Sequence, residues 1–436
     1  MADSRCAGFG GGDSLSPNCS GFEATDFDLI QQSSVISRDS DEKLAFGEFI
    51  ALVALMFSLV AMSIDGMLPA LPAIGADLLV SSPNDAQFVV ASLFFGLAFG
   101  QLLAGPLSDS FGRKPIIYAG FALFMAGCLL SILAPSFEWM IAGRTLQGIG
   151  AAAPRIVTIA LVRDQYEGRA MARVMSFAFS IFILVPALAP AMGQAILLLA
   201  GWRAIFTTFL LIAVVTSVWF ALRQPETLAP ERRSAFSIRR ILSAAGEVCT
   251  TRVAIGHTVA AGFIFAAFVG YLSSAQQIFQ QTYEVGNWFP AYFATLALSI
   301  GGASLINGRL VIRHGMRKIS MAAIQLLTGL ALVFLFVVWS LEGVPPLWLF
   351  MGFFISMFFC VGLLFGNLNA LSMEPLGHIA GVGAAVVGFV GTIISVPIGA
   401  AVGQAYDGTV MALSGGFSIF GAAALITMRW AQRSYP

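Results

Sequence analysis

Runs of twenty or more mostly apolar residues, parted by short polar or glycine-rich breaks, fill the chain from about residue 47 to residue 429. A helix rising 1.5 Å per residue needs roughly 20 such residues to cross a hydrocarbon layer about 30 Å thick. Only a helix satisfies every backbone N–H and C=O within a single apolar run. The pattern predicts twelve helical spans, over 47–70, 86–107, 115–134, 139–162, 174–200, 204–222, 253–274, 288–311, 319–341, 347–371, 380–405 and 409–429. The longest polar interruption, 223–252, opens with RQPETLAPERRSAFSIRR and divides the spans six and six. The expected layout is a tail over 1–45, a first bundle over 46–222, a linker over 223–252, a second bundle over 253–430 and a short tail over 431–436. Residues 1–45 are rich in Ser, Gly and Asp and hold no comparable apolar run. Such a stretch cannot bury a core, so a disordered cytoplasmic tail is expected. Its lack of a basic start followed by an apolar stretch argues against a cleaved signal peptide.

Composition fits this reading. Hydrophobic residues make up 58% of 436 positions and charged residues 11%, whereas a soluble domain has about a quarter charged. Net charge is zero, and no basic stripe with interleaved aromatics suggests nucleic-acid binding. Cys6, Cys19, Cys128, Cys249 and Cys360 show no pairing pattern and are expected as free thiols. His257, His314 and His378 are too scattered for a ligand set, so neither metal nor cofactor is expected. Lys and Arg gather on one side of the spans: Arg113 and Lys114; Arg163, Arg169 and Arg173; Arg223, Arg232, Arg233, Arg239 and Arg240 in the linker; Arg313, Arg317 and Lys318; Arg429 and Arg433. The opposite connections carry Arg203 beside Asp77, Asp85, Glu138, Glu284, Glu342 and Asp407. This asymmetry predicts both termini in the cytoplasm.

Acids are almost absent from the spans. Asp65, in the first, is the one carboxylate well inside; Glu48 lies at an edge. The fourth span carries Arg144 and Arg155. Charges at such depth are costly, and they face a partner or a water-filled cavity. Eleven residues, about 16 Å, separate the two arginines, so both point the same way. Counted from the membrane boundaries, Asp65 and Arg144 fall in one layer roughly 22 Å from the inner edge, close enough to pair. Opposing effects of the cation and of desolvation would make the pair a workable proton carrier. The alternatives are a purely structural Asp–Arg pair, or arginines that tie neighbouring carbonyls.

A weak repeat links the halves. GPLSDSFGRK follows span two and GRLVIRHGMRK follows span eight, with Gly105 matching Gly308 and Gly112 matching Gly315. Transporters are often built from such duplicated bundles, with the substrate site between them. The loop at 105–115, with Gly105, Asp109, Gly112, Arg113 and Lys114, resembles the signature loop of the major facilitator superfamily. Gly105 would allow close helix approach, Asp109 would accept hydrogen bonds that lock one side, and Gly112 would permit the tight turn. The second copy has Ile312 in place of the acid, so its lock is expected to be weaker. Arg144, Gln147, Gly148 and Gly150 resemble the family's fourth-helix motif. SIDGMLPALP around Asp65 is similar to the first-helix motif of the drug:proton antiporter branch, whose acid is implicated in coupling. Pro186, Pro190 and Gly193 resemble the antiporter motif of the fifth helix, with Ala189 and Gln194 replacing two of its glycines. GWRAIF and PETL look like the Bcr/CflA multidrug subgroup.

The resemblance implies an all-α membrane protein with twelve transmembrane helices in two pseudo-symmetric six-helix bundles. It implies no enzyme, but a secondary transporter in a bacterial inner membrane, exporting hydrophobic or cationic drug-like compounds in exchange for protons by alternating access. Asp65 and Arg144 would couple protons. Gln147, Arg155, Phe268, Tyr271, Asn367 and Asn369 would line the cavity; Gly105, Asp109, Gly112, Arg113, Pro186, Pro190 and Gly193 would gate it. The expected partners are the lipid bilayer, protons and a small-molecule substrate, with a monomeric chain. The alternative is proton-coupled uptake of a small polar nutrient, which calls for polar cavity residues in both halves; the second half has no charge in the interior of its spans.

Overall fold

The computed structural model describes residues 44–433; the expected tail over 1–45 lies almost wholly outside them. Thirteen helices carry the architecture. The first six spans are α1 (Phe46–Asp65), α2 (Phe88–Phe111), α3 (Arg113–Ile132), α4 (Phe137–Gln165), α5 (Gly168–Ala200) and α6 (Trp202–Arg223). A linker helix, α7 (Ile238–Thr250), precedes α8 (Arg252–Leu272), α9 (Phe289–His314), α10 (Met316–Ser340), α11 (Leu347–Met373), α12 (Ala380–Gln404) and α13 (Met411–Gln432). The apolar stretch Leu347–Gln404 would be far too long for one crossing. A 3₁₀ segment, Glu374–Ile379, breaks it where Leu376 leaves helical geometry, and α11 and α12 result.

The helix pairings repeat between the halves. In the first, α1 packs on α4, α5 and α6, α2 and α3 on α4, and α3 on α6. In the second, α8 packs on α11, α12 and α13, α9 and α10 on α11, and α10 on α13. These are the same six contacts shifted by one bundle. Two further seams, α2 against α12 and α5 against α9, join the bundles.

Three local features position the elements around the site. The first span does not run unbroken to residue 70. α1 stops at Asp65, a turn follows, and Leu68–Ala70 and Leu71–Asp77 resume as a 3₁₀ turn and a short helix. Pro69 and Pro72 each lack an N–H and sit in the first turn of these new segments, where none is needed. The matching helix of the second half also stops early: α8 ends at Leu272, and a π turn, Ile278–Thr282, lies beyond. Within the linker, Ser237 is an N-cap whose hydroxyl accepts from the Arg240 N–H. The buried side of α7, with Ala244 and Val248, joins Leu376, Val386 and Val387. Cys128, Cys249 and Cys360 are free thiols.

Candidate transport pathway and gates

Asp65 is the last residue of α1 and is 5% exposed. Among the described residues its carboxylate makes no hydrogen bond and no ion pair. The position is fixed from behind. A Cβ placed on Gly193 of α5 would come within 1.7 Å of the Gly66 carbonyl oxygen, so only glycine lets α5 close on the turn after Asp65. Across the bundle boundary lies Tyr271 on α8, near enough to interact with Asp65. Tyr271 is 1% exposed and its hydroxyl has no hydrogen-bond partner. Its ring is held by Phe293, Phe354 and Phe358. Two polar groups without partners among the described residues thus lie near one another in opposite halves, each next to the break in its helix.

The expected Asp65–Arg144 pair is not formed. Arg144 is fully buried and donates from Nη2 to the Ser63 carbonyl of α1 at 2.8 Å, from Nε to the Val89 carbonyl of α2 at 3.1 Å and from Nη1 to Gln147 Oε1 at 2.6 Å. Depth matched, but direction did not: the carbonyl of Ser63 points towards α4 while the Asp65 side chain, two residues on, points elsewhere. Arg144 therefore pins α1 and α2 to α4. Gln147, expected to line the cavity, is buried in the same network and donates to Cys128 Sγ at 3.3 Å.

Arg155 lies on the same face of α4, about 16 Å nearer the arginine-rich end. Its side chain is exposed. Ile159, one turn further, is 40% exposed. Here one face of α4 is left uncovered by protein. Phe268 is half-buried against Phe265, Phe358 and Phe365, and Phe265 meets Phe94 of the other bundle. Asn369 is exposed, whereas Asn367 is buried and exchanges two 2.9 Å hydrogen bonds with Asn307, joining α9 to α11. Asn367 is thus a clasp between helices and not free to hold cargo.

At the arginine-rich end, Gly112 adopts φ +104° between α2 and α3, a conformation that side chains rarely take. Arg113, 3% exposed, bonds Asp109, Asp164 and Ser108. Glu226 of the linker accepts from the backbone N–H groups of Arg113 and Lys114 and so caps α3. The linker also reaches Asp109, whose carbonyl accepts from the Ser234 N–H at 3.0 Å. Gly105 departs from expectation: a Cβ there meets nothing within 4 Å, so no close approach uses it here. Pro186 and Pro190 lie inside α5 without interrupting it.

The opposite end holds a clasp that the sequence reading missed. Asn84, before α2, donates to the Gln404 and Tyr406 carbonyls at 3.0 and 2.9 Å. Its own carbonyl accepts from Gln404 at 2.8 Å, its Oδ1 accepts from Gln277 at 2.7 Å, and Gln87 donates to Gln277 at 3.3 Å. These bonds close the two bundles against each other. The available signal was amide-rich span ends, PNDAQ at 83–87 and AQQIFQQ at 275–281.

Comparison with known proteins agrees with this geometry. The chain is 32% identical over 368 residues to an uncharacterized MFS-type transporter, YdgK, of Bacillus subtilis, covering 82% of this chain and 89% of that protein. It is 31% identical over 289 residues to a bicyclomycin resistance protein homolog of Haemophilus influenzae, covering 65% of this chain and 72% of that one. A solved D-xylose-proton symporter superposes with TM-score 0.70 at 15% identity, over 89% of this chain and 98% of that chain, a likeness of fold alone. The sequence profile of the Major Facilitator Superfamily matches residues 53–400, and the chain belongs to that family of membrane transporters.

Proposed function

We propose that the protein exports lipophilic drug-like compounds in exchange for protons, by alternating access between the two bundles. The observation that carries this reading is Asp65: buried, without a partner, at a helix break, and facing the other bundle. An unpaired carboxylate in hydrocarbon is costly to leave ionised, so taking up a proton relieves the cost and releasing it reinstates it. In this reading Asp65 alone is the proton carrier, and Arg144 holds the surrounding helices at the correct depth. The likeness to a bicyclomycin resistance protein homolog supports drug efflux. The arginine-rich end is read as cytoplasmic, which puts both termini inside a bacterial inner membrane, the Asn84 clasp outside and Arg155 on the inner approach. The clasp and the Arg113–Asp109–Asp164 cluster are then the outer and inner gates, and α5 transmits movement from Gly66 to the α9 seam.

The test uses everted vesicles holding a pre-formed pH gradient. Adding a transported compound should dissipate the gradient in wild type and not in Asp65→Asn, while Asp65→Asn still binds the compound. Undiminished exchange by Asp65→Asn would remove the carboxylate from the mechanism.

A further inference from the structure

We propose that Arg155 recognises an anionic group on the cargo, so that the preferred substrates are lipophilic compounds bearing a carboxylate or a similar acid and not simple lipophilic cations. The inference rests on the export reading above and names its substrate class.

A guanidinium within a transmembrane helix ordinarily pairs with a carboxylate, a backbone carbonyl or water. Arg144 shows the structural solution, with three bonds to carbonyl and amide oxygens and no exposure. Arg155, on the same helix face, shows the opposite. Among the described residues it makes no hydrogen bond and no ion pair. Its side chain is exposed, on the helix face whose other arginine is held between α1 and α2, and we read that exposure as the wall of the space between the bundles. It is about 15 Å from the end of α4 at Gln165. That is too deep for the surface role of arginines that fix orientation.

The chemistry of the space fits one class of ligand. Guanidinium is planar, permanently charged and presents paired donors that match a carboxylate. In this reading the half-buried rings of Phe265, Phe268 and Phe365, in the other bundle, would supply the apolar contact that a drug-sized ligand needs. Asp65 sits one layer further out, near the carbonyl that Arg144 holds. An acid group at Arg155 therefore stays roughly 16 Å from the proton site, and the two do not compete for one position. Expelling an anion while a proton enters moves charge in the direction that an inside-negative membrane favours.

Three pyrene ligands of one shape decide the point on the full chain in detergent, read by ligand fluorescence: pyrenebutyrate, its primary amide, and pyrenebutylammonium. Wild type should bind the carboxylate about tenfold or more tightly than the amide, and the ammonium most weakly. Arg155→Gln should erase the preference for carboxylate over amide; Arg155→Lys should keep part of it. An unchanged melting temperature for both variants separates lost recognition from lost fold. Equal binding of carboxylate and amide by wild type, tighter binding of the ammonium, an unaltered preference in Arg155→Gln, or binding of none of the three would each overturn the proposal. Proton exchange is read separately in the vesicle assay with Asp65→Asn, so either reading fails without the other.

Discussion

The two bundles share a plan and divide the work. Each begins with a helix that stops early, α1 at Asp65 and α8 at Leu272, and each lays its fifth helix across that break. The first bundle fills its interior with charge and amide: Asp65, Arg144 and Gln147 are all buried. The second fills the corresponding space with aromatic rings, Tyr271, Phe293, Phe354, Phe358 and Phe417, and ties its helices with the neutral Asn307–Asn367 pair. A duplicated scaffold has kept its geometry while one copy retains ion chemistry and the other offers shape. The interhelical glycines show the same inequality. A Cβ on Gly193 of α5 would meet the Gly66 carbonyl oxygen at 1.7 Å, and one on Gly399 of α12 the Ala266 carbonyl oxygen at 2.7 Å.

That inequality sets the largest expected effect. Gly193→Ala must push α5 off the turn that carries Asp65, because the obstacle is backbone and cannot rotate away. Overpacking of this kind costs about 1–3 kcal/mol and occasionally more. The melting temperature in detergent should fall by many degrees and export should be lost. Gly399→Ala, with an ångström more room, should lose less of both. Equal losses would mean that the two halves are equally tight in the membrane.

Next come the paired loops. Arg113 is nearly buried between two carboxylates, whereas Arg317 and its partner Glu374 are 40% and 45% exposed. Arg113→Ala leaves Asp164 and Asp109 facing each other without their cation, and removal of one member of such a cluster costs about 3 kcal/mol. An exposed pair contributes about 0–1 kcal/mol. Thermal unfolding of Arg113→Ala and Arg317→Ala, compared side by side, should therefore differ in the same order. A smaller shift for Arg113→Ala would show that its cluster forms in another state of the cycle.

Much of this was legible in the sequence, and the failures are specific. Hydropathy located the spans because the lipid requirement for about 20 apolar residues acts on each span separately. The break at 371–380 was visible for the same reason, since no helix of 58 residues fits a bilayer. The single intramembrane acid was equally plain. What failed was azimuth. Counting residues gives depth, and depth placed Asp65 level with Arg144, but the partner of Arg144 proved to be a main-chain carbonyl, which has no letter in the sequence. Gln147 and Asn367 failed likewise, because a polar residue in a span serves packing and cargo equally well until its neighbours are known. The Asn84 clasp joins positions about 190 and 320 residues apart, so no local pattern could disclose it.

The clasp gives a third, smaller contrast, between the two ends of the molecule. Asn84→Ala removes three side-chain hydrogen bonds that join the bundles, against one for Gln101→Ala at the α2–α12 seam, where Gln101 donates to Thr392 at 3.0 Å. Bonds between membrane helices average about 0.6 kcal/mol, so Asn84→Ala shifts the balance towards opening at that end by about 2 kcal/mol. A single cysteine introduced beneath the clasp should then react several-fold faster with an impermeant maleimide. Gln101→Ala should leave the rate nearly unchanged.

Tyr271→Phe is expected to show the smallest change in stability and so tests the division of work most finely. The hydroxyl has no partner in this conformation, so deleting it removes a desolvated polar group and no bond; replacing such a group costs almost nothing or stabilises slightly. The melting temperature should stay within a degree or two of wild type. Export should nonetheless slow several-fold if the hydroxyl donates to Asp65 at another point of the cycle, because the aromatic bundle would then supply one polar contact to the charged one. Unchanged export with unchanged melting would leave the second bundle with shape alone, and proton handling wholly with the first.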